Sequence, residues 1–529
     1  MNTKKLLILG SMLFASISLA SCGKDEPQTT NIIPSATEVS IKVGSSVEVK
    51  FEHEIIEGIT SEFIIGNENL ISIFKDGNSV TIFGLEEGET TLTKKYNGGS
   101  ATIKIIVLPK DKIHSVKLAN YSKEELAVMT NQEVDLKAQY FLDETLGKDA
   151  TFTYNVIDAT NAIMDGSKFK ASETGDYLVK ITPTYGGEIK YNLIKDIKLK
   201  VMDSVSSIDY RYIGRTIERD SEIHFDNVNS GIEFAFFGTK VSATVFNRSK
   251  INQNGKVKLL IDNGDKEAEI ILNSTEIYKT ISIGNLDNCY HVARIVNAFE
   301  EGFIPMVKPD SVVVDNFAPL DEVEKKSMLV IGDSITAGYC AISNTAWTPE
   351  NSDSTYSFAY QSSLLLDVDL ECIASQGIGV RYGNRNRLGE DQYMINLYNK
   401  NSIYDLESEY ENTEHDIVVV ELGTNDAQFK SSYYEGQKFV FENYYFDLLN
   451  EVYEDNPNAI FVCVYGMMSN DPMIAEGIRN AANRMNDENE TSNFYYSDSF
   501  VSATNGHPNA SQHSENAKKL ADFINQIVK

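Results

Sequence analysis

Near residue 326 the spacing of apolar residues changes period, so no single architecture can hold the whole chain. Upstream, short stretches alternate apolar and polar residues, as in Val39-Ser40-Ile41-Lys42-Val43, Val47-Glu48-Val49-Lys50-Phe51 and Ala101-Thr102-Ile103-Lys104-Ile105-Ile106-Val107. Turn dipeptides such as Asp76-Gly77 and Gly98-Gly99 separate them. A period of two marks half-buried strands. Downstream, compact apolar runs alternate with segments of helical length. Strands are expected at 327–331, 370–374, 417–422, 460–464 and 493–496, and helices at 356–366, 436–453, 472–486 and 515–528. Near-continuous apolar strands between helices imply a parallel sheet covered on both faces. Ligands of such sheets sit beyond the carboxyl ends of the strands, so chemistry is expected in the loops there.

A chain of 529 residues has room for three or four domains. The upstream part contains an internal echo. Glu87-Gly88 followed by Tyr96-Asn97-Gly98-Gly99 recurs, about 87 residues later, as Thr174-Gly175 followed by Tyr185-Gly186-Gly187. Two β-sandwich domains are expected, over 31–110 and 111–203. They resemble bacterial immunoglobulin-like modules, with spacing as their role and glycan binding as the alternative. Residues 204–320 are strand-rich in another pattern, running from Ile213-Gly214-Arg215-Thr216 through Gly231–Thr239 and Val257–Asp262 to Tyr290–Val296. A bulky apolar face argues for a β jelly-roll or sandwich, in which His291 is a strand residue with no implied chemistry. The fold class is thus multidomain: all-β modules, a jelly-roll, and a C-terminal α/β domain over 326–529.

The N-terminus reads as an address. Lys4 and Lys5 precede an apolar run, Leu6–Leu19, shorter than the ~20 residues of a membrane span and suited to a secretory signal over 1–21. Leu19-Ala20-Ser21-Cys22 resembles a lipobox, which implies lipidation of Cys22 and membrane anchoring through it. Residues 22–30 are a polar tether. The acidic stretch after Cys22 resembles an export signal of surface lipoproteins, so a surface-exposed outer-membrane location is expected. The formal charge is −30, from 47 Lys+Arg against 77 Asp+Glu. Such a surface repels phosphate backbones and argues against nucleic acid as a partner. The five cysteines show no CxxC pair and no metal-ligand spacing, which excludes a zinc module. Cys340, Cys372 and Cys463 read as buried apolar residues.

Four blocks stand out: Gly332-Asp333-Ser334-Ile335-Thr336, Ser375-Gln376-Gly377-Ile378-Gly379, Gly423-Thr424-Asn425-Asp426 and Asn505-Gly506-His507-Pro508-Asn509. The first three follow expected strands. In this order they resemble the SGNH (GDSL-type) hydrolases. With the preceding β domain and its Gly214-Arg215-Thr216, residues 205–529 resemble carbohydrate esterase family 2, whose members remove acetyl groups from polysaccharides. The resemblance implies a three-layer α/β/α domain and an acyl-enzyme mechanism without metal or cofactor. The implied substrate is an acetylated polysaccharide or oligosaccharide, xylan- or mannan-type.

The residues carry that chemistry on their own terms. Ser334 lies on a tight strand-to-helix turn expected to expose its hydroxyl, and a serine nucleophile needs a base to take its proton. The α/β domain offers His415, His507 and His513. His415 precedes its strand and is placed roughly 20 Å from the strand's far end; His513 starts the last helix, where a structural or capping role is expected. His507 matches the family's base. By the resemblance, the oxyanion donors are the backbone N–H of Ser334, that of Gly377 and the side-chain amide of Asn425, while Asp333 and Asp426 order the loops. The family's aspartate two residues before the histidine is here Asn505, and Gly506 stands where some members carry an aromatic. Asn505 is a candidate orienter of His507 through its side chain, with a backbone carbonyl as the alternative, so dyad and triad both stay open. Trp347 is a candidate substrate platform, against loop packing. Arg381, Arg385 and Arg387 cluster after the second block. Arg381 is a candidate for binding uronic acids, against pairing with local carboxylates. The alternative function is a catalytically weak or inactive surface lipoprotein that binds glycan.

Overall fold

The computed structural model describes residues 29–248, 254–299, 304–321, 324–384, 393–402, 405–429, 435–503 and 506–528. Cys22, Arg385, Arg387 and Asn505 lie outside the described residues. Two compact units are present. One takes the chain to Ser115 together with Phe141–Leu146, and the other takes Val116–Tyr140 and Gly147–Lys529.

The first unit contains two four-stranded sheets. Ile33–Pro34, Ser46–Glu52, Ser79–Gly84 and Ile71–Asp76 form one; Glu38–Lys42, Gly99–Leu108, Gly88–Tyr96 and Glu62–Ile65 form the other. Their alternating side chains meet in one core that includes Phe51, Ile82, Leu92, Ile103 and Ile105, as period-two strands require.

In the second unit, Glu125–Met129, Lys195–Met202, Gly175–Tyr185 and Ala150–Ile157 form a sheet. A nine-stranded ladder follows, organised by the 17-residue strand Gly231–Asn247. The first half of this strand pairs with Cys289–Asn297 and the second half with Tyr278–Ile283. Irregularities against Pro305–Ala318 fall between Phe237 and Val241 and between Ala243 and Val245. Such breaks let one strand serve two layers, and Phe234, Phe236, Val245, Leu259 and Ile295 pack in the core.

The C-terminal sheet is parallel throughout, in the order Asp369–Ala374, Ser327–Gly332, Ile417–Glu421, Ile460–Val464, Phe494–Ser497. Helices Glu435–Asp455 and Pro472–Glu488 cover one face over Leu329, Ile331, Val420 and Phe461. Helices Phe358–Leu366 and Ala510–Ile527 cover the other over Met328, Val330, Val419 and Val462. The strand order reverses between Ser327–Gly332 and its neighbours, which opens a crevice at the carboxyl edge. Two helix starts differ from expectation. A 3-10 turn at Ser354–Tyr356 precedes the first helix, whose N-cap is Ser357. The last begins at Ala510 because Asn509 and Gln512 form a capping box there.

Candidate active site

The crevice collects three of the four sequence blocks by strand ends, and the loop before the last helix brings the fourth. Ser334 Oγ stands 2.8 Å from His507 Nε2. The serine is not exposed as its turn led us to expect: Ser334 is 5% and His507 6% accessible. The rings of Tyr339 and Trp347 flank the imidazole, with centroids 6.2 and 6.1 Å away, and Trp347 meets it edge-on. Trp347 itself stays 60% exposed, so it borders the site with its indole open to solvent.

His507 is held by its backbone. Asn344 Oδ1 accepts from its N–H at 3.1 Å, and Asn344 Nδ2 donates to its carbonyl at 3.0 Å. Gly506 follows from that clamp. Its φ is +70°, and a Cβ there would stand 2.7 Å from Asn344 Oδ1, so an aromatic at this position is incompatible with both. No described residue hydrogen-bonds Nδ1 of His507. Burial pushes its pKa down to about 4, which keeps the ring neutral and able to accept a proton at pH 7.

No described residue accepts from the backbone N–H of Ser334 or of Gly377, whose φ of +78° aims the peptide as few non-glycine residues could. Asn425 is engaged twice: Nδ2 donates to Ile378 O at 2.8 Å and to Asp333 Oδ2 at 3.0 Å. Asp426 accepts from the N–H groups of Val380, Arg381 and Tyr382 at 3.0, 2.8 and 2.7 Å, and so shapes the loop after Gly377. Burial nonetheless pushes its pKa up to about 6.

Other sequence candidates fall elsewhere. The Arg381 guanidinium lies against the rings of Tyr382, Tyr393 and Tyr444 and donates to Tyr393 Oη at 2.6 Å. It contacts neither Ser334 nor His507 and, among the described residues, pairs with no carboxylate. His415 sits before its strand, bonded to Asn456 and near Glu371. His513 lies inside the last helix, where its Nδ1 accepts from the Phe358 N–H at 3.2 Å and so caps a different helix. Cys340, Cys372 and Cys463 are buried thiols. Sequence reasoning missed Asn344, a lone polar residue in a polar loop that carries no local signal. It also passed over Glu421, the one acid on an otherwise apolar strand, which was signal enough.

No family model matches the sequence, and no curated protein matches it. Solved structures do. A family two carbohydrate esterase from Clostridium thermocellum, in complex with cellohexaose, aligns with 60% of this chain and 99% of its own at 20% identity and TM-score 0.54. An acetyl xylan esterase from the rumen bacterium Butyrivibrio proteoclasticus aligns with 61% and 99% at 18% identity and TM-score 0.53. A family two carbohydrate esterase from Cellvibrio japonicus gives 61%, 97%, 18% and 0.52. Some three fifths of this chain therefore shares the fold of the family two carbohydrate esterases.

Proposed function

We propose that the protein is a serine esterase that removes O-acetyl groups from polysaccharides of the xylan or mannan type. The observation that carries this reading is the 2.8 Å contact between Ser334 Oγ and a neutral, buried His507 at a parallel-sheet switch point. His507 takes the serine proton as Ser334 attacks the acetyl carbonyl, and returns it to the departing sugar oxygen. The N–H groups of Ser334 and Gly377 receive the oxyanion with the Asn425 amide. Water then attacks the acetyl-enzyme by the same route. No step uses a metal or cofactor. The Trp347 indole offers a flat apolar face to a sugar ring, and Arg381 remains a candidate contact for acidic side groups. Anchoring through Cys22 would hold the enzyme at the outer-membrane surface, next to its polymer.

Hydrolysis of an aryl acetate by the chain from Gly23 onward tests the reading. Ser334→Ala should lower kcat by at least roughly 10³ with an unchanged circular dichroism spectrum. A protein that binds xylo- or manno-oligosaccharides but releases no acetate would establish the binding-only alternative.

A further inference from the structure

Glu421 ends the strand Ile417–Glu421 in register with Gly332, directly beneath the nucleophile turn. Gly332 permits the close approach there, since a Cβ would stand 1.9 Å from Thr336 Oγ1. The Thr336 hydroxyl donates to Glu421 Oε2 at 3.2 Å. The carboxyl groups of Glu421 and Asp333 face each other within hydrogen-bonding reach. Both residues are buried, and no described Lys, Arg or His pairs with either. Two carboxylates buried together with no described cationic side chain beside them do not both ionise readily, so the pair retains a proton.

The surrounding donors locate that proton. Asp333 Oδ1 accepts from the Ile335 N–H at 2.9 Å and Oδ2 from Asn425 Nδ2 at 3.0 Å. Both are fixed donors, best met by an ionised Asp333, whereas Glu421 faces one fixed donor, the Asp333 N–H, and a Thr336 hydroxyl free to rotate, so the remaining O–H belongs to Glu421. We propose that Glu421 is a positioning residue: as a neutral acid it donates its O–H to Asp333 and thereby fixes the carboxylate that holds the Asn425 amide at the site. The proposal rests on the serine-esterase reading above. Its consequence is specific. Asn425 has both hydrogens committed, so a developing oxyanion gains one by sharing it with Asp333 or with the Ile378 carbonyl. The Glu421 O–H draws charge from Asp333 and weakens that competition, while keeping the amide in place. Burial pushes the Glu421 carboxyl well above the ordinary range, as a retained proton requires. The other titratable groups facing the pair are Asp426, on the Asp333 side, and Tyr445, on the Glu421 side.

The test compares the full chain with Glu421→Gln and Glu421→Met. Glutamine keeps a donor for Asp333 and an acceptor for Thr336; methionine keeps only the volume. Glu421→Gln should hold kcat within about threefold, whereas Glu421→Met should lose at least about tenfold in kcat with KM unchanged. Equal kcat in the two variants overturns the proposal, as does a folded Gln variant as impaired as the Met variant. Should the Met variant fail to fold, infrared difference spectroscopy of wild type against Glu421→Gln decides. A protonated-carboxyl stretch that shifts in D₂O must be lost in the variant, and its absence from the difference spectrum also overturns the proposal. This arm needs no turnover. If wild type hydrolyses no ester, the esterase reading fails separately from the location of the proton.

Discussion

No described residue offers His507 a carboxylate, and its surroundings set both its ionisation and its orientation. Burial alone lowers its pKa to about 4, and in the proposed mechanism the neutral form is the base. Lowering pH therefore costs activity only as it passes through that value. The expected kcat/KM profile is level from neutrality to about pH 5 and falls about tenfold per unit below about pH 4. A measured limb near pH 6.5 would mean that the free ring is solvated or charge-stabilised. If His507 is the base as proposed, so low a pKa drives proton transfer less, aim has to compensate, and Asn344 is placed to supply it. Its two hydrogen bonds fix the His507 peptide, and each such bond is worth about 1 kcal/mol. Asn344→Ala should reduce kcat by roughly 10- to 30-fold with little change in KM. Asn344→Asp, which keeps only the acceptor, should fall between. A kcat unaffected by Asn344→Ala would show that Pro508 and the helix behind it hold the ring unaided.

At the scale of elements, the C-terminal sheet rests on a buried charge supplied by the preceding β domain. Arg215 is 1% accessible. It donates to Glu371 Oε1 at 2.7 Å, to the Tyr398 and Lys400 carbonyls at 2.5 and 2.8 Å, and to Asn412 Oδ1 at 2.6 Å. Its guanidinium also lies 4.4 Å from the Tyr410 ring centroid. Removing it leaves Glu371 in the interior with only His415 to pair with among the described residues. Arg215→Met should cost about 3–5 kcal/mol in urea unfolding, and Arg215→Lys should recover little because an ammonium cannot reproduce the planar fork. A loss below about 1 kcal/mol would show that Glu371 simply protonates. The sequence made the parallel strands legible, since apolar runs of strand length between helices have few other solutions. It made Ser334, Gly377, Asn425 and His507 legible as blocks at strand ends and in one loop. It could not reveal what Arg215 grips, because its partners come from three separate segments. Nor could it show Asn344 reaching the His507 peptide, 163 residues away in the chain. Period and spacing report where an element starts and which face it buries. Contacts between loops depend on closure of the whole sheet, which local pattern does not encode.

At the scale of the molecule, every residue assigned a role in ester cleavage lies in the second compact unit, whereas the first has a core of its own. Residues 116–140 and 147–203 belong with the second unit. Met129 and Met202 pack on Ala235, Phe237 and Ala318, Gln132 Nε2 donates to the Asn288 carbonyl at 2.7 Å, and Lys123 pairs with Asp262 and Asp265. The ion pairs are partly exposed and contribute little, so the apolar contact around buried Phe237 should dominate. Two truncations separate these roles. A chain lacking residues 1–110 should keep kcat/KM on a soluble aryl acetate within about twofold, because every residue of the proposed site lies in the second unit. A chain lacking residues 1–203 should keep its chemistry but lose roughly 1.5–3 kcal/mol of stability, the worth of burying one large side chain. Phe237→Ser in that shorter chain should then be far less costly than in the longer one, since the ring is already uncovered. Equal stability of the two truncated proteins would reduce residues 116–203 to a spacer. A large drop in kcat/KM on removing residues 1–110 would instead require the first sandwich to take part in catalysis.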